Sequence, residues 1–328
     1  MRTIVFASGK GGTGKTTLTA LAAHFAAADG ASLVLADCDV EAANLPIALR
    51  AVETGCDAFA GGAKAVIDPE ACRGCGACQV ACRFDAIGPS EEYFRDRTYV
   101  VDPWACEGCG ACVPVCGDAA IRMEHSQAGE VCSADTTLGA MVFGRLAPGE
   151  DLSGKLVTEV RTRAVRLAEE RGASLMLIDG PPGVGCPAIA SVTGADLLVA
   201  VAEPTISGEH DLRRLVLLAR RLGTPVAVVL NKADLSHSGA ERIRALAAAE
   251  GLPLLGNVPF DPDLAGALER LAVGEPPAVT ATRGPAASAV VGEAPDALGD
   301  PDRQGTAAVR RIWFSVAEMA AAQGPLGE

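Results

Sequence analysis

The chain has 328 residues, 49% of them hydrophobic, and a formal net charge of −13. The length suggests about two domains, and the negative charge disfavours broad electrostatic binding to nucleic acid or to an anionic membrane surface. No uncharged apolar stretch approaches the roughly 20 residues of a membrane-spanning helix, and the first residues lack a signal-peptide pattern. The sequence therefore predicts a cytoplasmic protein that binds no nucleic acid.

Strand and helix patterns alternate along much of the chain. An apolar run at 2–8 predicts a β-strand, the alanine-rich stretch 15–28 predicts a helix, and 32–37 predicts a second strand. Further strands are predicted at 174–179, 196–202, 225–231 and 253–258, and further helices at 158–171, 208–222, 239–250 and 307–322. Because these strands are apolar throughout, the pattern predicts an α/β fold with a mostly parallel sheet and helices on both faces.

A glycine-rich loop joins the first predicted strand to the first predicted helix. Its sequence, GKGGTGKT at 9–16, satisfies the P-loop pattern G-x-x-x-x-G-K-[ST]. The backbone N–H groups of such a loop surround phosphates, Lys15 contacts the β- and γ-phosphates, and Thr16 ligates Mg²⁺. The predicted phosphate-binding residues are Gly9, Lys10, Gly11, Gly12, Thr13, Gly14, Lys15, Thr16 and Thr17.

An inserted domain interrupts the α/β pattern. About 135 residues separate the second predicted strand from the next one, which is too many for a simple crossover. Within them, residues 66–87 and 100–121 match at 13 of 22 positions at an offset of 34. The sequence thus predicts a P-loop domain at 1–62 and 125–328 and an inserted domain at 63–124. In the P-loop domain, 273–306 is rich in Pro, Ala and Gly and is expected to be flexible.

Each repeat carries the cysteine spacing C-x₂-C-x₂-C-x₃-C. This spacing matches the bacterial two-cluster ferredoxin run, in which the fourth cysteine ligates the other cluster, and it predicts a small α+β ferredoxin-like domain with two [4Fe–4S] clusters. The predicted ligands are Cys72, Cys75, Cys78 and Cys116 for one cluster and Cys106, Cys109, Cys112 and Cys82 for the other. Zinc, whose sites usually use separated C-x₂-C pairs, is the alternative. Arg83 and Gly117 replace the proline that usually follows the fourth cysteine.

The P-loop and two strand ends resemble those of the MinD/ParA/nitrogenase iron protein superfamily. Lys10 in KGGTGKTT resembles the additional lysine of its deviant Walker A motif, which implies a homodimer in which Lys10 reaches the partner's phosphates. Residues 35–44 resemble switch I, with Asp39 orienting the attacking water, and 177–183 resemble switch II, with Asp179 near Mg²⁺. A strand-end aspartate that only caps the next helix is the alternative. The resemblance implies the catalytic residues Lys10, Lys15, Asp39 and Asp179, and the Mg²⁺ ligands Thr16, Asp39 and Asp179.

The sequence leaves two interpretations of which base the bound nucleotide carries. The stretch 230–234 contains N-K-x-D, the guanine-reading pattern of GTPases, whereas the resemblance to MinD-like ATPases implies adenine beside Asn231 and Pro259. The deviant P-loop favours ATP over GTP.

Four cysteines lie outside the two runs. Disulfides are unusual in cytoplasmic proteins, which favours metal ligation or redox chemistry for the cysteine runs. Cys38 and Cys56 belong to neither run, and we expect them to be structural. Cys186 resembles the cysteine after switch II that ligates a bridging cluster in the nitrogenase iron protein, with Cys132 as a candidate second ligand. A buried cysteine at the start of a helix is the alternative interpretation of Cys186.

The resemblance implies an ATPase that couples ATP to electron transfer or metallocluster assembly, with a redox or cluster-assembly protein as its partner. Two alternatives remain: an iron–sulfur carrier of the Mrp type, and a redox-sensing positioning ATPase of the MinD/ParA type. The mildly amphipathic stretch 307–319 would suit a membrane-bound positioning ATPase, but we expect it to pack in the core.

Overall fold

A computed structural model describes residues 1–91, 98–262 and 304–322. The segment 273–306 was expected to be flexible. Its residues 273–303 lie outside the described residues, and residues 304–306 belong to the last helix. The strands are β1 (Arg2–Ser8), β2 (Leu33–Asp37), β3 (Val52–Ile67), β4 (Ile87–Pro89), β5 (Tyr99–Val101), β6 (Ile121–Asp135), β7 (Ala140–Leu146), β8 (Leu175–Pro182), β9 (Leu197–Ala202), β10 (Val226–Leu230) and β11 (Leu254–Asn257). The helices are α1 (Lys15–Ala28), α2 (Leu45–Ala48), α3 (Ala77–Ala81), α4 (Ser153–Arg171), α5 (Cys186–Val192), α6 (Ile206–Leu222), α7 (His237–Ala249) and α8 (Gln304–Ala322).

One sheet of the described chain has nine strands in the order β11-β10-β9-β1-β8-β2-β7-β6-β3. The pairs from β11 to β7 are parallel. This confirms the mostly parallel α/β fold, and it adds β3, β6 and β7, which sequence patterns did not assign to the sheet. Asp179 of β8 lies opposite Phe6 of β1 and Asp37 of β2. The carboxyl ends of these three strands therefore meet at one edge, where the P-loop begins.

Helix α8 completes the hydrophobic core. Val309, Ile312, Trp313 and Val316 are buried in the same cluster as residues of α1 and β1, and the Trp313 Nε1–H donates to Asp29 Oδ2 at 3.1 Å. The apolar face of 307–319 is thus used for packing, as expected. Among the described helices, none combines the length and the apolar character needed to cross a membrane.

The chain divides into two compact units. The unit that we call the P-loop unit comprises Met1–Cys56, Val131–Arg145 and the chain from Ser153 onward; the cysteine unit comprises Asp57–Glu130 and Leu146–Leu152. In the cysteine unit, β4 and β5 pair antiparallel. Its buried cluster contains Ala65, Cys78, Ile87, Cys112 and Ile121, so cysteines from both repeats face one small core.

A disulfide overturns the expectation for one scattered cysteine and agrees with that for another. Cys56 of β3 and Cys132 of β6 are bonded to each other, with their Cα atoms 4.0 Å apart. Cys132 is therefore not available as a cluster ligand, and Cys56 is structural through a cross-link. The two residues are 76 positions apart, and they meet because β3 and β6 are neighbours in the sheet, which the sequence patterns did not reveal.

Candidate nucleotide site and cysteine sites

The loop between β1 and α1 has the backbone that phosphate binding requires. Gly12 and Gly14 have φ values of 76° and 86°, in the left-handed region that favours glycine. Gly14 is the N-cap of α1 and offers no side-chain cap to the helix. The first N–H groups of α1 are therefore left for an anion, which the helix dipole also favours.

A cavity of about 560 Å³ lies beside this loop, within the volume range of small-molecule sites. Predicted residues that line it are Gly11, Gly12, Gly14, Lys15, Thr16, Thr17, Asp39, Asn231 and Pro259. The sequence interpretation did not single out Glu41, Asn44, Pro182, Phe260 or Asp261 as cavity residues. The lining as a whole comes from the end of β8 and from segments that follow β1, β2, β10 and β11, so only the fold brings these residues together.

Asp179 and Asp37 form a buried carboxylate pair behind the P-loop. The Thr16 hydroxyl donates to Asp179 Oδ2 at 2.5 Å, and the Thr19 hydroxyl lies 3.4 Å from Oδ1. Burial raises the pKa of Asp179 to about 6 although Lys15 opposes the shift, and burial together with the charge of Asp179 raises the pKa of Asp37. A hydroxyl and carboxylates are hard oxygen ligands that suit Mg²⁺, so these residues fit a magnesium ion.

Asp37 has a structural role that the sequence interpretation missed. Its carboxylate accepts from the backbone N–H groups of Asp39 and Leu45, each at 2.9 Å. These bonds shape the loop after β2 and place Asp39 on the cavity wall. Burial raises the pKa of Asp39, and Lys15 opposes that shift. The spacing Asp-x-Asp at the end of β2 is the signal that could have predicted two different roles: Asp37 holds the loop, and Asp39 lines the cavity.

Glu203 is a second residue that the sequence interpretation missed. It follows β9 directly and is 8% exposed. Its Oε2 lies 2.8 Å from Lys10 Nζ, and its Oε1 lies 2.6 Å from Lys232 Nζ. Burial acts to raise the pKa of Glu203, but the two ammonium groups outweigh burial and hold the pKa below its usual range. Lys10 is therefore paired within its own chain in this structure.

Asn231 and Lys232 support the P-loop. The Asn231 amide donates to the carbonyl of Thr13 at 2.7 Å, and Lys232 Nζ donates to the carbonyl of Gly12 at 2.8 Å. Asp234, the acidic residue of N-K-x-D, accepts from the backbone N–H of Phe260 at 2.6 Å. In a GTPase this carboxylate would bind guanine. Here one oxygen of the Asp234 carboxylate holds the loop at 258–261.

The eight cysteines of the two runs line two small cavities in the cysteine unit. Cys72, Cys75, Cys78 and Cys116 line one cavity, and Cys82, Cys106, Cys109 and Cys112 line the other. All eight are free. Each cavity therefore combines three cysteines of one repeat with the fourth cysteine of the other repeat.

The backbone repeats as the sequence does. Gly74 and Gly76 have positive φ values, as do Gly108 and Gly110, which lie 34 positions later. The N–H of Cys72 donates to the carbonyl of Asp68 at 2.9 Å, and the N–H of Cys106 donates to that of Asp102 at 3.0 Å. The two halves thus build their loops with the same turns and hydrogen bonds.

Among the described residues, no three sulfur atoms of the two runs lie close enough together in this structure to share one zinc ion. Tetrahedral zinc with bonds near 2.3 Å brings its sulfur ligands to about 3.8 Å from one another. Within the described ranges, the one group of three candidate ligand atoms that all lie within 4.8 Å of one another is Glu53, Cys56 and Cys132, and two of these form the disulfide. The donor set around each cavity, four free thiols more widely spaced, fits a larger cluster.

Cys186 is the first residue of helix α5, which follows β8. Its side chain is exposed, so the interpretation as a buried helix-start cysteine is wrong about burial. Since Cys132 is bonded to Cys56, it supplies no second ligand for a bridging cluster.

The parallel sheet, the glycine loop and the strand-end carboxylates define a P-loop nucleotide-binding protein. The chain belongs to the family described as the CobQ/CobB/MinD/ParA nucleotide binding domain, which matches residues 4–272.

Two relatives in Methanocaldococcus jannaschii span most of the chain. The uncharacterized protein MJ0578 is 34% identical over 235 residues, which is 71% of this chain and 79% of that protein. The uncharacterized protein MJ0579 is 26% identical over 267 residues, covering 72% and 82%.

Solved structures share the fold. MinD from Pyrococcus horikoshii, complexed with Mg-ADP, has a TM-score of 0.55 and 18% identity and covers 99% of each chain. MinD from Pyrococcus furiosus has a TM-score of 0.53 and 18% identity, covering 97% of this chain and 99% of that one.

Proposed function

We propose that this protein is an ATPase that dimerises around Mg²⁺-ATP and carries two [4Fe–4S] clusters, and that it couples ATP to electron transfer or metallocluster assembly for a protein partner. The observation that carries the proposal is the crosswise grouping of eight free cysteines, four around each of two cavities, in a chain with the P-loop of a nucleotide-binding family.

The P-loop unit supplies the groups for phosphoryl transfer. The N–H groups at the start of α1 and the ammonium of Lys15 bind the phosphates, and Thr16 with Asp179 orients the cation. Mg²⁺ supplies charge neutralisation on the phosphate oxygens. Asp39, on the cavity wall, positions the attacking water, and a partner's Lys10 neutralises charge that develops on the phosphates. We favour ATP over GTP because the loop KGGTGKTT has the deviant P-loop pattern; in addition, one oxygen of Asp234 already accepts from the Phe260 N–H.

The cysteine unit supplies the ligands for the clusters. When bound, [4Fe–4S] clusters accept and donate single electrons. The thiols of Cys78 and Cys112 lie in the small core, whereas Cys75 and Cys109 are exposed. Positive-φ glycines between the ligands turn backbone N–H groups along each loop, an arrangement that suits an anionic cluster.

Metal analysis of anaerobically purified protein tests the cluster half of the proposal. We expect about eight iron and eight sulfide per chain, with broad visible absorbance. Cys75→Ser should perturb one cluster and leave ATP binding intact, while Cys186→Ser, which changes an exposed cysteine outside both cavities, should retain all eight iron. Stoichiometric zinc without visible absorbance would refute the cluster assignment.

Anaerobic electron paramagnetic resonance of the reduced protein, with and without ATP, separates the proposed coupling from a carrier role. A coupled protein keeps its iron and changes its cluster signal when ATP binds. A carrier instead loses iron to an apo-acceptor protein, which would overturn the electron-transfer role.

A further inference from the structure

Glu203 forms ion pairs with two lysines, one within the P-loop and one that contacts the loop. Lys10 lies within the loop, and Lys232 follows β10. Each lysine uses a different oxygen of the same carboxylate, at 2.8 Å and 2.6 Å. The three residues all belong to the P-loop unit, so this cluster is complete within one chain.

The two lysines are held differently. Lys232 Nζ has a second acceptor, the carbonyl of Gly12 at 2.8 Å, and its side chain is 24% exposed. The side chain of Lys10 is 34% exposed, so an anion that approaches from solvent can reach its ammonium group. If Lys10 exchanges its carboxylate partner for a phosphate, Glu203 keeps Lys232 as its counter-ion and Lys232 keeps its bond to Gly12. The exchange therefore leaves no buried carboxylate without a cation, which would be costly.

We propose that Glu203 is a positioning residue that holds Lys10 within its own protomer until a second copy of this chain presents the phosphates of its bound nucleotide. This inference rests on the proposed dimer. Glu203 then sets the protein concentration at which ATP drives dimerisation, because each dimer must break two Lys10–Glu203 ion pairs. It does not set the affinity of the monomer for nucleotide, since Lys15 and the start of α1 make those contacts.

Glu203→Gln tests the proposal and Glu209→Gln is the matched control. Glu209 lies on the same segment, in α6, and its carboxylate pairs with Arg213 and Arg242 rather than with a P-loop lysine. The fold should tolerate Glu203→Gln because both lysines are partly exposed and water can solvate them. Equal thermal midpoints of wild type and variant check this, and Glu203→Asp, which keeps the charge, should restore part of the wild-type behaviour.

The first measurement needs no dimer. Lysine acylation by an N-hydroxysuccinimide ester, followed by mass spectrometry, reports how freely the Lys10 amine reacts in nucleotide-free monomer, with the exposed Lys155 as internal reference. Glu203→Gln should raise Lys10 acylation about two- to fivefold, the range for losing a partly exposed ion pair, and Glu209→Gln should leave it unchanged. Unchanged Lys10 acylation in Glu203→Gln overturns the proposal.

The second measurement is the protein concentration at half-dimerisation with a non-hydrolysable ATP analogue, from analytical ultracentrifugation. Glu203→Gln should lower this concentration severalfold at an unchanged monomer affinity for the analogue. A higher concentration would overturn the proposal, because Glu203 would then promote the dimer. If wild type and variant both stay monomeric while Lys10 acylation rises, the proposed dimer fails although the ion pair is real, so the two failures are distinguishable.

Discussion

At the scale of single residues, the candidate nucleotide site depends on charges held close together in a buried environment. Asp37 and Asp179 are fully buried and adjacent in register across β2 and β8. Lys15 and the hydroxyl donors favour the charged form of Asp179, and the backbone N–H groups of Asp39 and Leu45 favour that of Asp37. A Mg²⁺ ion would offset the repulsion between the two carboxylates further. The site is therefore less stable without its ligands than with them, which is a common cost of preorganised electrostatics.

The two P-loop lysines should separate nucleotide binding from dimerisation. Lys15→Ala should weaken ATP binding roughly tenfold to hundredfold, because it removes a charge-assisted hydrogen bond of about 1.5–3 kcal/mol. Lys10→Ala should keep measurable affinity and lose ATP-dependent dimerisation and hydrolysis, because its proposed phosphate contact is with the partner. Isothermal titration calorimetry and sedimentation measure the two properties. Equal losses of affinity in both variants, with a wild type that stays monomeric, would contradict the dimer.

The raised pKa of Asp179 predicts a pH dependence. Because its folded pKa, about 6, lies above its unfolded value, its protonation stabilises the nucleotide-free protein at low pH, and this contribution is lost as the pH rises through about 6. Mg²⁺ must displace that proton, so the affinity for Mg²⁺-ATP should rise between about pH 5 and 7. Asp179→Asn should flatten this profile and raise the thermal midpoint of the nucleotide-free protein at pH 8. If the affinity of the variant changes with pH in the same way as that of the wild type, a group other than Asp179 is responsible for the titration.

At the scale of elements, the strands β3 and β6 do more than connect the two units. Each contributes residues to both units, and the Cys56–Cys132 disulfide joins them where they belong to the P-loop unit. The Arg145 guanidinium pairs with Glu53 and lies 3.7 Å from Cys132 Sγ. Cys56 is exposed whereas Cys132 is buried, so a thiol reductant would reach the bond from the side of Cys56.

Removing the disulfide should destabilise the protein. The bond closes a loop of 76 positions, for which the chain-entropy estimate is about 4 kcal/mol, and less where the loop keeps structure of its own. The Cys56→Ser/Cys132→Ser double variant should therefore unfold at a lower urea concentration than the oxidised wild type. Reduced wild type should coincide with the double variant. Identical curves for oxidised and reduced wild type would show that the bond is not formed in solution.

The repeat differs at the two cysteine cavities. Arg73, paired with Asp118 at 3.1 Å, lines the cavity of Cys72 together with Tyr99. Glu107, which has no ion-pair partner among the described residues, and Ala65 occupy the positions that match Arg73 and Tyr99 at the other cavity. Cluster potentials rise with positive charge and with hydrogen bonds to sulfur, and the Ala120 N–H donates to Cys116 Sγ at 3.3 Å.

We therefore expect two separate one-electron steps in an anaerobic redox titration followed by electron paramagnetic resonance. The cluster in the cavity with Arg73 should be reduced first, and Arg73→Glu should lower its potential selectively. Exposed Arg122→Glu, which changes the charge away from both cavity linings, is the control. A single two-electron step in the wild type would contradict this inequivalence.

At the scale of the whole molecule, the question is whether nucleotide binding in the P-loop unit and the redox state of the cysteine unit are energetically coupled. The loop after β2 and the end of β8 carry Asp39 and Asp179, which should rearrange around the γ-phosphate. The strands β3 and β6 follow and precede these elements in the chain and continue into the cysteine unit. If the proposed clusters are bound, we expect these strands to be the connection through which nucleotide binding in one unit affects the clusters in the other.

We expect a non-hydrolysable ATP analogue to bind oxidised and reduced protein with different affinities. By linkage, binding of the analogue must then shift the cluster reduction potentials by the same coupling free energy. This is typically about 1–3 kcal/mol where such coupling exists. Anaerobic titrations of both redox states measure it, and the apo-protein lacking clusters is the control. Equal affinities with unchanged potentials would make the units energetically independent and favour the carrier or redox-sensing alternatives.

Local patterns in the sequence were enough to predict the main elements and the P-loop. Strand β1, helix α1 and the loop between them depend on neighbouring residues: an apolar run, glycines that accept positive φ, and a helix-forming stretch. The cysteine spacing likewise predicted which cysteines would line each cavity. The two repeats lie 34 positions apart, and each builds its loop from residues that are close together in the chain. Family membership followed from these same local motifs.

Only the tertiary structure decided contacts between residues that are far apart in the chain. The pairing of Cys56 with Cys132 depends on the order of strands in the sheet. The ion pairs of Glu203 with Lys10 and Lys232 depend on parallel strands that end at one edge. The physical reason is that such partners are chosen by packing over the whole sheet, and no periodicity within a short window records which distant strand will be the neighbour.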